Sequence, residues 1–147
     1  MTLRNLRGAT RASAGLMLTA TALLAGCAQP PPPGPTARLY AIDLAGAARR
    51  CTVGPVAPVA GKEVAARMTV GNDGGWCAFT VAQPGPQPYA AGLLTEDPAH
   101  GRVYIHPVGD NTRIDYTPDA GYVGPDAFAV TLLPGRAVVR ATVSVTR

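Results

Sequence analysis

The chain has 147 residues, 47 % of them hydrophobic, with 17 glycines, 15 prolines and a formal net charge of +4. Three of its thirteen basic side chains, Arg4, Arg7 and Arg11, precede residue 27, and beyond them ten basic groups face nine acidic ones. The basic balance belongs to the N-terminal segment, so a nucleic-acid partner loses its electrostatic footing.

Those three arginines stand ahead of an uncharged run from Ala12 to Leu24. A basic start, an apolar stretch of this length and small residues at its end are the layout of a secretory signal, assigned to residues 1–26. A spanning helix needs about 20 apolar residues, and Pro30 to Pro33 close the run soon after Cys27. Leu24-Ala25-Gly26-Cys27 resembles the lipobox of bacterial lipoproteins. The resemblance implies cleavage before Cys27, diacylglycerol on its thiol and an acyl group such as palmitate on the new amine. Ala28, where an aspartate would favour inner-membrane retention, implies by the same resemblance a lipid-anchored, outer-membrane location. Residues 27–37 then form a Pro-rich linker. From Cys27 to Thr36, polyproline geometry would span about 30 Å at ~3.1 Å per residue.

About 110 residues remain, 38–147, enough for one domain. Glycine or proline interrupts nearly every window long enough for a helix, and short runs alternate with period 2. Tyr40–Leu44 is predicted as a first strand. Val64, Ala66, Met68 and Val70 predict another, with Ala65, Arg67 and Thr69 on its wet face. The GNDGG run at 71–75 is a turn. Trp76–Val81 follows, with Cys77, Phe79 and Val81 on one face, and the QPGPQP run at 83–88 must be an exposed loop. Tyr89–Thr95, Arg102–His106 and Thr112–Thr117 are the next strands. In the last of these, Ile114 and Tyr116 are predicted to face the core while Arg113 and Asp115 face water. Ala127–Leu133 and Val138–Thr146 complete the set, joined by Pro134-Gly135. Strands so short and so spaced predict an all-β, antiparallel sandwich. Cys51 and Cys77 are the two cysteines beyond residue 27, and an even count in an oxidising compartment reads as a disulfide. It would close a loop of about 25 residues and stabilise by roughly 3 kcal/mol.

Residues 113–145 resemble the C-terminal half of bacterial immunoglobulin-like or cadherin-like repeats. The matching residues are Tyr116-Thr117-Pro118, Gly121-Tyr122-Val123-Gly124, Asp126-Ala127-Phe128 and the strand Val138–Val145. The AHGRVYIHP run before them extends the likeness, which covers about 45 residues from Ala99 to Val145. It implies a single immunoglobulin-like β-sandwich. In that fold Gly121 and Gly124 would allow a sharp turn, Asp126 would cap it, and Tyr116 and Phe128 would fill the core. The chain carries one copy rather than a tandem array, and its first half, with Cys51 and Cys77, lies outside the likeness.

Candidate chemistry is thin. His100 and His106, with Asp97 and Asp110, match no zinc spacing. On a strand, His106 shares a face with Tyr104 and Arg102. Asp119 and Asp126 read as turn caps, since calcium needs six to eight oxygens. Ser144, on the last strand, is the only serine beyond residue 27, so serine-nucleophile catalysis has no place to stand. No cofactor, metal or catalytic residue is implied, and the expected role is that of a non-enzymatic binding or structural module of the cell envelope. Tyr89, Tyr104 and His106 are the candidate binding residues, aromatic features placed to be exposed. Trp76, beside a disulfide cysteine, reads as core packing ahead of contact surface. The expected partners are the membrane, through Cys27, and another envelope protein. The other expected role is a small periplasmic inhibitor or accessory subunit, docking by its loops on an envelope enzyme or transport complex.

Overall fold

Period-2 alternation commits a strand to one dry and one wet face, and two such faces must meet to exclude water. The computed structural model describes residues 41–147 apart from Pro86. The residues read as a signal and a lipobox, Cys27 among them, the whole stretch 27–37 read as a linker, and Tyr40 lie outside the described residues. Eight strands form: β1 (Cys51–Val53), β2 (Glu63–Gly71), β3 (Cys77–Val81), β4 (Ala91–Glu96), β5 (Gly101–Val108), β6 (Asn111–Pro118), β7 (Gly124–Leu133) and β8 (Ala137–Thr146). They make a five-stranded sheet, ordered β1-β2-β8-β7-β4, and a three-stranded sheet, ordered β3-β6-β5. The fold is all-β, with two sheets packed on one core. Among the described residues, no helix is long and apolar enough to cross a membrane.

The predicted phases hold on most strands. Ala66, Met68 and Val70 of β2, Cys77, Phe79 and Val81 of β3, and Phe128, Val130 and Leu132 of β7 are buried. On β8, Val139, Ala141, Val143 and Val145 join them. The Phe128 ring lies between the sheets' aromatic groups, 6.3 Å from Phe79 and 5.8 Å from Tyr116, near parallel to both. Such offset pairs add about 0.5–1.5 kcal/mol beyond the area they bury. The disulfide forms between Cys51 and Cys77, tying the exposed edge strand β1 to β3 in the opposite sheet.

Three expectations need correction. The first strand, predicted over Tyr40–Leu44, is a 3-10 helix at Ala41–Leu44. Its carbonyls are spent locally and on side chains: Leu44 O accepts from Ala47 N, Asp43 O from Arg113 and Ala45 O from the Trp76 indole. That leaves no row of groups to join a ladder. The sandwich is also not antiparallel throughout, because β2 runs parallel to β8, from Glu63 opposite Val138 to Gly71 opposite Thr146. The long path between them permits what a tight hairpin forbids. The strand Cys51–Val53 is the third departure; all three of its residues are exposed, so no alternation advertises it.

The motif residues at 116–128 form one unit. Asp126 is buried, and its carboxylate is filled on both oxygens. Oδ1 accepts from the Ala99 and Ala127 amides at 2.9 Å, and Oδ2 from the His100 amide at 3.0 Å and the Tyr116 hydroxyl at 2.7 Å. Asp126 therefore caps the turn between β4 and β5. Burial pushes its carboxyl up, but the hydrogen bonds from Tyr116, Ala99, Ala127 and His100 outweigh it and hold the group below its usual range. Burial, and then the Asp126 carboxylate, push the Tyr116 phenol well above the usual range. Gly121 and Gly124, at φ +77° and +150°, make the turn that brings Asp126 there.

Candidate binding surfaces

One surface is a cleft at the end of the sandwich where β3 finishes. The loop after Val81 is folded tightly: Gln83 N donates to Gln87 O at 2.9 Å and Gln83 Nε2 to Pro88 O at 2.8 Å. Tyr89 then donates its amide to Thr112 Oγ1 on β6 at 2.8 Å, which fixes the ring against the edge of the core. A second wall is the segment before β2. Gly61 N donates to Gly135 O at 2.7 Å and Val138 N to Lys62 O at 2.9 Å, so this segment is bound to the β7–β8 turn. Between the walls lies a mostly apolar cleft of about 430 Å³, lined by Pro58, Val59, Gln83, Pro84, Tyr89, Pro134 and neighbouring small residues. That volume falls within the range of small-ligand sites, about 300–1,000 Å³. Burial pushes the Tyr89 phenol above its usual range. Its hydroxyl has no hydrogen-bond partner among the described residues.

The second surface is the outer face of the three-stranded sheet. Tyr104 and His106 of β5 share it, their rings 4.6 Å apart, and Tyr104 is 64 % exposed. Arg113 and Asp115 of β6 also point outward, as the alternation requires, yet they are buried at 9 % and 6 % exposure. The expectation that they face water is overturned, and the reason is a cover. The strap Asp43–Ala48 runs over them and is fastened to Trp76: its indole donates to Ala45 O at 3.0 Å, its amide to Gly46 O at 3.0 Å, and Ala48 N to Trp76 O at 2.8 Å. Beneath, the Arg113 guanidinium stacks 4.1 Å from the Trp76 ring centroid. It grips Asp115 with two donors, Nε at 2.8 Å and Nη2 at 3.2 Å, and gives Nη1 to Asp43 O. Trp76 accordingly packs on this outer face under the strap, not in the core between the sheets, which corrects its core reading.

His106 Nε2 lies 3.2 Å from Asp115 Oδ2, a histidine–carboxylate dyad. Among the described residues no hydroxyl or thiol is hydrogen-bonded to His106. The dyad holds the imidazole still beside Tyr104. His100 sits apart, stacked on Tyr122 with centroids 4.0 Å apart. Among the described residues, no three His, Cys, Asp or Glu side chains gather as metal ligands.

Of the predicted binding residues, the structure brings Tyr104 and His106 together and places Tyr89 in the cleft instead. Pro58, Val59 and Pro134 were missed as cleft walls; proline flanking a strand was the signal, but nothing in the sequence said that the two loops would meet. Arg113 and Asp115 were missed because a charged pair in the wet phase of a strand carries no mark of its cover.

No protein-family model matches the chain, and no curated protein matches it either.

Proposed function

We propose that the chain is a lipid-anchored protein of the bacterial cell envelope, tethered to the outer membrane through Cys27, whose folded part is a non-enzymatic immunoglobulin-like module docking on another envelope protein. The observation that carries the docking role is the cleft beside Tyr89, an apolar concavity built from three loops at one end of a rigid sandwich. Binding residues on loops that a sheet scaffold positions are the common arrangement.

The topology supports the immunoglobulin-like assignment. If β3 to β8 are lettered B to G, the three-stranded sheet is B-E-D and the other contains G-F-C, the two halves of that fold. The Cys51–Cys77 bond departs from it, because it joins β1 to β3 where antibody domains join B to F. The lipobox at residues 24–27 and the prolines that follow support the anchor and the spacer. Because loops and not a sheet face form the cleft, the accessory-subunit or inhibitor form of this role is favoured over a purely structural one.

Two measurements on cells test it. Metabolic labelling with radioactive palmitate should mark the wild-type chain and not Cys27→Ser; an unlabelled wild type removes the anchor. A photo-crosslinking residue in place of Pro84 should capture a discrete envelope protein, and replacing residues 83–88 with a glycine-serine loop should abolish the product. Capture that survives the replacement removes the cleft from the role.

A further inference from the structure

The cleft's chemistry restricts what can fill it. Its walls present mostly aliphatic side chains: Pro58, Val59, Pro84 and Pro134 offer no side-chain donor or acceptor, and Gln83, the one amide side chain of the lining, has its Nε2 committed to Pro88 O. A ligand that buried its own N–H groups there would leave them unsatisfied, at a cost comparable to a lost hydrogen bond each. The Tyr89 hydroxyl, unpartnered among the described residues, is a donor at the wall and asks for an acceptor. A polyproline II segment meets both conditions: its prolines carry no N–H, its carbonyls point outward, and it is extended before it binds. One turn is about 9 Å long at ~3.1 Å per residue.

Charge adds a further restriction. Lys62 follows the Pro58–Gly61 wall, and Arg136 stands between the lining residues Gly135 and Ala137. Both are exposed, and neither forms an ion pair among the described residues. Among the described residues, no carboxylate lines the cleft. An apolar floor with a cationic rim fits a ligand whose apolar stretch is flanked by acidic residues.

We infer that the cleft takes an extended, proline-bearing segment of the partner protein flanked by acidic residues, with Tyr89 donating its hydroxyl hydrogen to a carbonyl of that segment. This rests on the docking role stated above and names the partner's chemistry.

The test is fluorescence polarisation with the full chain, purified in detergent, against three labelled peptides. The probe is acetyl-Ala-Glu-Pro-Ala-Pro-Pro-Glu-Ala; the controls replace both glutamates with lysine, or all prolines with alanine. The probe should bind saturably, with each control at least about tenfold weaker. Tyr89→Phe keeps the ring and the packing and should weaken the probe about fivefold, the worth of one hydrogen bond. Arg136→Gly removes a charge at a position already at φ +51°, where glycine is at ease. With Lys62→Gln it should weaken the probe several-fold and flatten its salt dependence. Equal binding of probe and controls, indifference to Tyr89→Phe and Arg136→Gly, or no saturable binding up to about 1 mM overturns the inference. The outcome is separable from the parent role. Crosslinks at Pro84 in cells with no peptide binding here keep the docking and remove this ligand class. Peptide binding without palmitate labelling removes the anchor alone.

Discussion

Tyr116 donates its phenol hydrogen to Asp126 Oδ2 across 2.7 Å, and both side chains are buried. The two residues belong to separate parts of the motif, on adjoining stretches of β6 and β7, and their bond closes the turn between them onto the core. The same carboxylate holds the Ala99 and His100 amides, so a single group organises three segments of chain.

Removing that group should therefore cost more than removing its hydroxyl partner. Asp126→Asn turns an acceptor into a donor facing N–H groups and should destabilise by about 3 kcal/mol, with Tyr116→Phe costing about 2 kcal/mol. Urea denaturation of both variants and the double mutant should show coupling, because the two single losses share one bond.

Acidity supplies an independent reading. The Asp126 carboxyl is depressed in the folded protein, so its contribution is fully present above the ordinary carboxyl value, about 4. It is lost as pH falls through the lower folded value. The stability gap between wild type and Asp126→Asn should thus be widest near neutrality and narrow below about pH 4. A gap that is unchanged in acid would show that the carboxylate's charge contributes nothing.

The Arg113–Asp115 pair is predicted to be fragile to one-sided change. Arg113→Met leaves the buried Asp115 carboxylate with His106 as its one remaining side-chain partner among the described residues and should cost about 3 kcal/mol; adding Asp115→Leu should recover much of that. Trp76 is the chain's single tryptophan, so its fluorescence reports the loss of the guanidinium stacked on it. Equal destabilisation by the single and double variants would contradict the account.

The strap depends on an absent side chain. A Cβ on Gly75 would lie 2.4 Å from Ala48 N and 2.6 Å from Ala48 Cα, backbone atoms that cannot step aside. Gly75→Ala should lift the strap, red-shift Trp76 emission and cost on the order of 2 kcal/mol. Gly54→Ala, which meets nothing within 4 Å, is the control and should leave both readings unchanged.

The disulfide should matter most of the covalent features. Replacing Cys51 and Cys77, 26 residues apart, with alanine should lower stability by about 3 kcal/mol, read as a fall in thermal midpoint.

Where a strand has one dry and one wet face, its residues could be placed from the sequence: Met68, Phe79, Phe128 and Val143 all lie where their alternation puts them. Local turn chemistry was half readable: Gly121 and Gly124 make their turn, but Asp126 spends its carboxylate on the Ala99 and His100 amides of the β4–β5 turn and not on that turn's own. What escaped was whatever depends on a neighbour far along the chain. β6 is buried on both faces because a strap some 70 residues upstream lies across it. The parallel β2–β8 register joins stretches that share no local signal. The cleft brings together the Pro58, Pro84 and Pro134 loops, the first and last of them joined by the Gly61–Gly135 bond.

That parallel register has a bearing on biogenesis. β8 lies at the centre of its sheet, between β2 and β7, so the larger half of the sandwich has no middle until the C-terminal residues arrive. Contacts of such wide sequence separation form slowly and late. A nascent chain of this design cannot close the larger sheet before β8 has been made, so that half of the sandwich assembles as one late step.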